Sequence, residues 1–244
     1  MAFVRAHHRA IHKALLSFDC DLLERAECFF GGGTAIVLVA GEYRESVDID
    51  FLCASTDGYR QLIEAVWVKG IAGLLRPETQ ASGEITELRE LRRGRDKILT
   101  VIGVESEGET VPVKFEVVRE ARIDLVGAVD PHLGVPVLAR PHMYAEKLMA
   151  NADRGNDSST LSRDIIDLSM MMLELGPVPD EAWALLDRAY GRAGRMAWDA
   201  SVTRIRDRAW LETCMDKMQM DPALTDRILA LHGGALPPAP NPLD

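Results

Sequence analysis

Apolar residues along the first part of the chain recur at the 3.6-residue spacing of a helix. Ile11, Ala14, Leu15, Phe18, Leu22 and Leu23 fall on one face and predict a helix over residues 5–26. A short strand over 27–30 then runs into Gly31-Gly32-Gly33, where Thr34 stands ready to cap a helix over about 34–40 that Gly41 ends. The period changes to two at 48–53: Ile49, Phe51 and Cys53 alternate with Asp48, Asp50 and Leu52, as in a half-buried strand. Residues 57–69 return to helical spacing. Strands follow over 97–104 and 111–118, separated by the turn-like Ser106-Glu107-Gly108-Glu109, and a short extended piece over 135–139 precedes Pro141.

From residue 141 onward the pattern is helical only, with segments over about 141–153, 160–175, 180–192, 196–217 and 222–232. The chain therefore divides into a mixed α/β part over 1–130 and a helical part over 131–235, with the Pro/Gly-rich segment 130–136 between them. The proline-rich end, 236–244, cannot hold a helix and is expected to be a flexible tail.

Composition narrows the setting. Apolar residues make up 47% of the 244, enough for a sizeable core, and the longest apolar run, around 29–40, is too short to span a bilayer. The N-terminus lacks the hydrophobic stretch and cleavage site of a signal peptide, so the expected location is the cytoplasm, with no membrane partner. Cys20, Cys28, Cys53 and Cys214 show neither a CxxC nor a Cys/His spacing and read as reduced thiols. A formal net charge of −10 makes the chain a poor general binder of nucleic acid. Charge can nevertheless be local, and two basic clusters stand out: Arg89, Arg92, Arg93, Arg95 and Lys97, and Arg204, Arg206 and Arg208. Each is either a solvated face paired with nearby carboxylates or a phosphate-binding surface.

The chemistry concentrates between residues 32 and 50. Gly32 and Gly33 let the backbone approach a ligand closely, and the free amides at a helix start suit a phosphate, beside which Thr34 places a hydroxyl. About fourteen residues on, Asp48 and Asp50 project from the same face of a strand and repel each other unless a cation lies between them. Hard divalent cations such as Mg²⁺ take such oxygen ligands, and two of them roughly 4 Å apart can clamp the attacking and leaving oxygens of a phosphoryl transfer. Glu116 is the candidate third carboxylate: Val113, Phe115 and Val117 form one face of its strand, and it shares the other with Lys114. A metal site would explain a charge there, and so would a salt bridge to Lys114 or an arginine.

Elsewhere, His8 and His12 lie one helical turn apart with no third ligand near and read as a surface helix face. Trp183, Trp198 and Trp210 are either packing anchors or platforms for a base. Arg163 and Asp167 stand at i, i+4 and could simply pair with each other.

A glycine turn with a small hydroxyl residue, an Asp-x-Asp strand and a later acidic strand residue resemble the DNA-polymerase-β-like nucleotidyltransferases. The fuller run Gly32-Gly33-Thr34-Ala35-Ile36 through Arg44-Glu45-Ser46-Val47-Asp48-Ile49-Asp50-Phe51 is similar to the AbiEii/AbiGii-type toxins in particular. So are Lys147-Leu148-Met149-Ala150, Arg154, and Arg163-Asp164-Ile165-Ile166-Asp167-Leu168. The resemblance covers roughly residues 28–175. One departure is Glu116, where Asp is common in the superfamily.

The resemblance implies an α+β fold, with a mixed sheet and flanking helices followed by a helical domain that completes the active site. It implies an NTP substrate and two Mg²⁺ ions held by Asp48, Asp50 and Glu116. Gly32, Gly33 and Thr34, with Arg44 and Ser46, would contact the nucleotide; Lys147 would offset triphosphate charge, and Asp164 would be linked with activity. It further implies an RNA acceptor, such as a tRNA 3′ end, and an antitoxin partner. A protein or small-molecule acceptor, or a nucleotide-binding protein acting through a partner, are the competing readings.

Overall fold

The Asp-x-Asp segment forms an inner strand of an eight-stranded mixed sheet. The computed structural model describes residues 3–233; the expected tail over 236–244 lies outside them. Residues divide between two units: one runs to Glu42 and resumes at Ser46–Met143, and the other takes Tyr43–Glu45 together with residues from Tyr144 onward.

The first unit opens with α1 (Ala6–Ser17) and α2 (Cys20–Arg25), then β1 (Cys28–Gly31), α3 (Gly32–Val39), β2 (Asp48–Cys53) and α4 (Thr56–Lys69). After a 3₁₀ turn at Gly70–Leu74 come α5 (Pro77–Ser82), β3 (Ile85–Glu87), β4 (Arg92–Arg93), β5 (Lys97–Ser106), β6 (Glu109–Arg119), β7 (Gly127–Val129) and β8 (Pro136–Leu138). The strand order is β3-β5-β6-β2-β1-β8-β7, with β4 also paired to β5. β2 runs parallel to β6 and antiparallel to β1, so the sheet is mixed as expected. The extended piece before Pro141 becomes β8, which pairs with β1 and so belongs to the sheet unit.

The period-two pattern does what it implied. Ile49, Phe51, Val113, Phe115 and Val117 are fully buried, and Phe18, Phe30, Phe51 and Phe115 form a ring cluster with centroids 5.2–6.1 Å apart. The opposite face of the same two strands carries Asp48, Asp50, Lys114 and Glu116.

Two of the expected helix starts in this unit change. The helix over 5–26 is two helices: Phe18 is extended and bridges to Leu75, and the Asp19 side chain accepts the Leu22 N–H at 3.0 Å to start α2 afresh. Thr34 is not a cap. α3 begins at Gly32, so Thr34 lies inside its first turn with its hydroxyl turned elsewhere.

The second unit is helical, as expected. α6 (Arg140–Arg154) carries the chain into it, and α7 (Arg163–Leu175), α8 (Asp180–Tyr190), α9 (Arg192–Ile205), α10 (Arg208–Lys217) and α11 (Leu224–Leu231) follow. The expected 196–217 helix is broken at Asp207, whose carboxylate accepts the Ala209 N–H at 3.0 Å and restarts the helix as α10. α7 is the buried member, with Asp164 through Met171 all inside. Trp183 meets Trp198 edge-on and Trp210 donates to Ser162 Oγ at 2.9 Å, so these rings serve as packing anchors. Among the described residues no helix is long and apolar enough to cross a membrane.

Candidate active site

Sheet register lines up the chemistry of the first unit. Gly31, at the end of β1, is the partner of Asp50 on β2, and Asp50 is in turn the partner of Glu116 on β6. The glycine turn thus abuts the acidic strand. Gly32 has φ +69°, and a Cβ there would sit 2.6 Å from Asp50 Oδ2. Only glycine serves at this point, for backbone conformation and for space alike.

Beside the turn, the Thr34 hydroxyl meets Ser46 Oγ at 2.8 Å. The Ser46 N–H donates to His8 Nε2 at 3.1 Å, and His8 Nδ1 meets Glu42 Oε1 at 2.7 Å. Nε2 thus faces the Ser46 N–H and Nδ1 faces the Glu42 carboxylate. Burial would raise the Glu42 carboxyl, but the Val4 N–H, His8 and the Arg5 N–H outweigh it and hold it below its usual value. His8 is 0% exposed, so the surface-helix reading is corrected for it. The sequence signal for this role was slight: one histidine on the apolar face of a helix. His12 bonds to the His132 carbonyl at 2.8 Å, meets Phe3 edge-on and lies tilted against the His132 ring.

Glu116 is engaged by lysines. Its Oε1 lies 2.8 Å from Lys114 Nζ and 3.2 Å from Lys97 Nζ. Burial alone would raise the Glu116 carboxyl, but these ammonium groups hold it below the usual carboxylate range. Burial would lower the Lys114 ammonium, and Glu116, Asp48 and Asp50 together raise it instead. The salt-bridge alternative for Glu116 is therefore realised here. Among the described residues no three His, Cys, Asp or Glu side chains are gathered closely enough to hold a metal ion in this conformation. Asp48 and Asp50 nonetheless fit a hard cation, being same-face carboxylates beside a turn that leaves no room for a side chain. On the same face, a recess of about 430 Å³ is lined by Lys114, Thr100, Arg89 and Arg92 among others.

The second unit holds a buried ion cluster. Arg44 grips Asp167 with two bonds of 2.8 Å, and the Tyr43 hydroxyl donates to the same carboxylate at 2.7 Å. Lys147 Nζ lies 3.0 Å from Asp164 and 3.1 Å from Asp167. Arg154 closes the group with two bonds to Asp164, at 2.7 and 2.9 Å. Burial would penalise four of these charges, yet the partners win: Asp164 and Asp167 are held below, and Lys147 and Arg44 above, their ordinary values. Arg163 is exposed, and Asp167 takes Arg44, Tyr43 and Lys147 in place of an i, i+4 partner. Arg44 and Ser46, two positions apart in the motif, thus belong to different units.

Residues 15–238 match the family described as nucleotidyl transferase AbiEii toxin, type IV TA system. The chain belongs to that family. It is thus a nucleotidyltransferase of a toxin–antitoxin family, as its motifs implied. Solved structures similar to it include JHP933 from Helicobacter pylori, at 12% identity and TM-score 0.39, over 84% of this chain and 96% of that one. An antigenic nucleotidyltransferase-like protein from Paracoccidioides brasiliensis is 14% identical at TM-score 0.47, over 91% of this chain and 97% of that one. A search of curated proteins gives no match.

Proposed function

We propose that this AbiEii-family enzyme moves a nucleoside monophosphate from an NTP to a hydroxyl of RNA, a tRNA 3′ end foremost, in the cytoplasm and under restraint by an antitoxin. The observation that carries the reading is the row Gly31, Asp50, Glu116 across three neighbouring strands, with Gly32 packed on Asp50. Asp48 and Asp50 would hold Mg²⁺, and Glu116 would complete the set on leaving Lys97 and Lys114. The metal would supply charge stabilisation for the attacking and leaving oxygens.

The α3 amides at Gly32 and Gly33 and the Thr34 hydroxyl would contact the β- and γ-phosphates, with Ser46, itself held by His8, beside Thr34. Two of the three donors on the Lys147 ammonium go to Asp164 and Asp167. Asp164 and Arg44 act as positioning residues within that cluster. The acceptor oxygen forms a bond to the α-phosphorus as the bond to the bridging oxygen breaks; pyrophosphate leaves and the hydroxyl proton departs to solvent. Positioning and electrostatics are the main sources of rate in such transfers. The basic recess beside Lys114 favours an anionic acceptor over a cationic one.

The test is a labelling assay with Mg²⁺, each α-³²P NTP in turn and total tRNA, with Asp48→Ala/Asp50→Ala as control. Label on RNA from one nucleotide, absent in the control, is the expected result. Metal-dependent nucleotide binding without RNA label would overturn the acceptor, and absence of binding would overturn the site.

A further inference from the structure

The two basic clusters meet different fates. In the second, Arg204 donates to the Gly155 carbonyl at 2.8 Å, Arg206 to the His232 carbonyl at 2.7 Å, and Arg208 pairs with Glu212 and Asp226. Those cations are occupied by their own unit. In the first, β4 is an edge strand whose successive side chains point to opposite faces. Arg92 lines the recess beside Lys114, and Arg93 turns to a second recess of about 370 Å³.

That second recess lies between α4 and the turn linking β4 to β5. Thr56, Arg60, Ile63 and Trp67 form one stripe of α4 along it; Arg93, Arg95 and Arg119 supply the other wall. The Tyr59 hydroxyl donates to the Gly94 carbonyl at 2.9 Å and fastens the turn to the helix. Trp67 is 67% exposed, and the Arg93 guanidinium lies 4.1 Å from the centroid of its ring. Four arginines line the recess and no carboxylate does. Arg60 leans on Asp57 and Glu64, and Arg119 is 3.9 Å from Asp96. Arg93 and Arg95 have no carboxylate within ion-pair distance among the described residues. The buried Nε of Arg119 has no hydrogen-bond partner there either.

A chain with net charge −10 thus gathers four cations and an exposed indole in one groove. We propose that this groove binds a single-stranded polynucleotide, with phosphates on Arg60, Arg93, Arg95 and Arg119 and one unstacked base on Trp67. Both halves of the chemistry are present: guanidinium for phosphodiester, and an aromatic face for a base of any identity. An acidic protein segment would use the arginines but leave the indole idle. The site lies on the other side of β4 from the Lys114 recess, so it is a second surface, and it stands whether or not the transfer reading holds.

The experiment titrates the full chain into 5′-fluorescein dodecauridylate, followed by anisotropy in EDTA without NTP. Arg93→Glu/Arg95→Glu should weaken binding ten-fold or more and reduce the log–log salt slope by about 1.4. Trp67→Ala should weaken it about five-fold or more, and Trp67→Phe should restore most of the loss. Circular dichroism establishes that each variant is folded, and Arg93→Gln/Arg95→Gln gives a milder second charge test. Thymidine and uridine dodecamers separate DNA from RNA as the source of the strand; tight binding of either one supports the groove. Absence of binding to both, indifference to Trp67→Ala, or equal displacement by polyglutamate would overturn it. Mg²⁺-dependent NTP binding, measured separately by calorimetry, reports on the transfer site and not on this groove.

Discussion

Gly32 combines two constraints that no other residue type meets, a φ of +69° and an Asp50 oxygen 2.6 Å from where a Cβ would stand. Gly32→Ala is therefore expected to cost about 1–3 kcal/mol by urea unfolding and to weaken NTP binding at least ten-fold by calorimetry. Gly41→Ala is the control: its φ is +86°, but nothing lies within 4 Å of the added atom, so it should lose stability and keep nucleotide affinity. His8 is the second residue-scale case. His8→Ala leaves the half-buried Ser46 N–H without its acceptor, a loss of about 1–3 kcal/mol, while Glu42 Oε1 keeps the Arg5 N–H. The Thr34–Ser46 contact then loosens, so KM for NTP should rise more than kcat falls; an unchanged KM would remove His8 from the site. The glycines and the aspartates were legible because turn chemistry and period two are local. His8 was not, since its partners are 34 and 38 positions away in the sequence.

At the scale of elements, two helices read as continuous are each split by an aspartate. Asp19 and Asp207 accept backbone N–H groups two or three residues ahead, and each starts a new helix. Helical periodicity survives such a break, because the apolar face resumes on the far side; the cap is the only local sign. Asp19→Ala is expected to cost about 1 kcal/mol and to lower Tm, while Asp19→Asn or Asp19→Ser recovers most of it. A Tm unaffected by Asp19→Ala would mean that the Phe18–Leu75 bridge alone sets the break. The short strands β3, β4 and β7 escaped the reading for a different reason. Two or three residues are too few to display alternation, and their place is set by β5 and β8 rather than by their own composition.

At the scale of the molecule, Tyr43–Glu45 joins the helical unit although both flanks belong to the sheet unit. The cause is the buried Asp167, which Arg44, Tyr43 and Lys147 together keep ionised. The sign of its pH dependence follows. A carboxyl held below its unfolded value stabilises the fold above the ordinary aspartate range, and that stabilisation is lost as pH falls through the depressed folded value. Asp164 acts in the same sense. Asp167→Asn should thus cost about 3–5 kcal/mol at pH 7 and flatten the decline of stability below about pH 4. Trp183, Trp198 and Trp210 lie in the helical unit, so tryptophan fluorescence during urea unfolding at several pH values checks it. A variant with the same acid dependence as the parent would show that other carboxylates control it. The sequence by itself determined the Asp-x-Asp strand, the glycine turn, the change from mixed to helical structure and the family, because each is written in residues close together along the chain. Only the tertiary structure decided that Glu116 is held by Lys97 and Lys114, that Arg44 is bound to Asp167, and that Arg93 lies over Trp67. Those pairings depend on which distant side chains the fold brings within a few ångströms, and no local period encodes that.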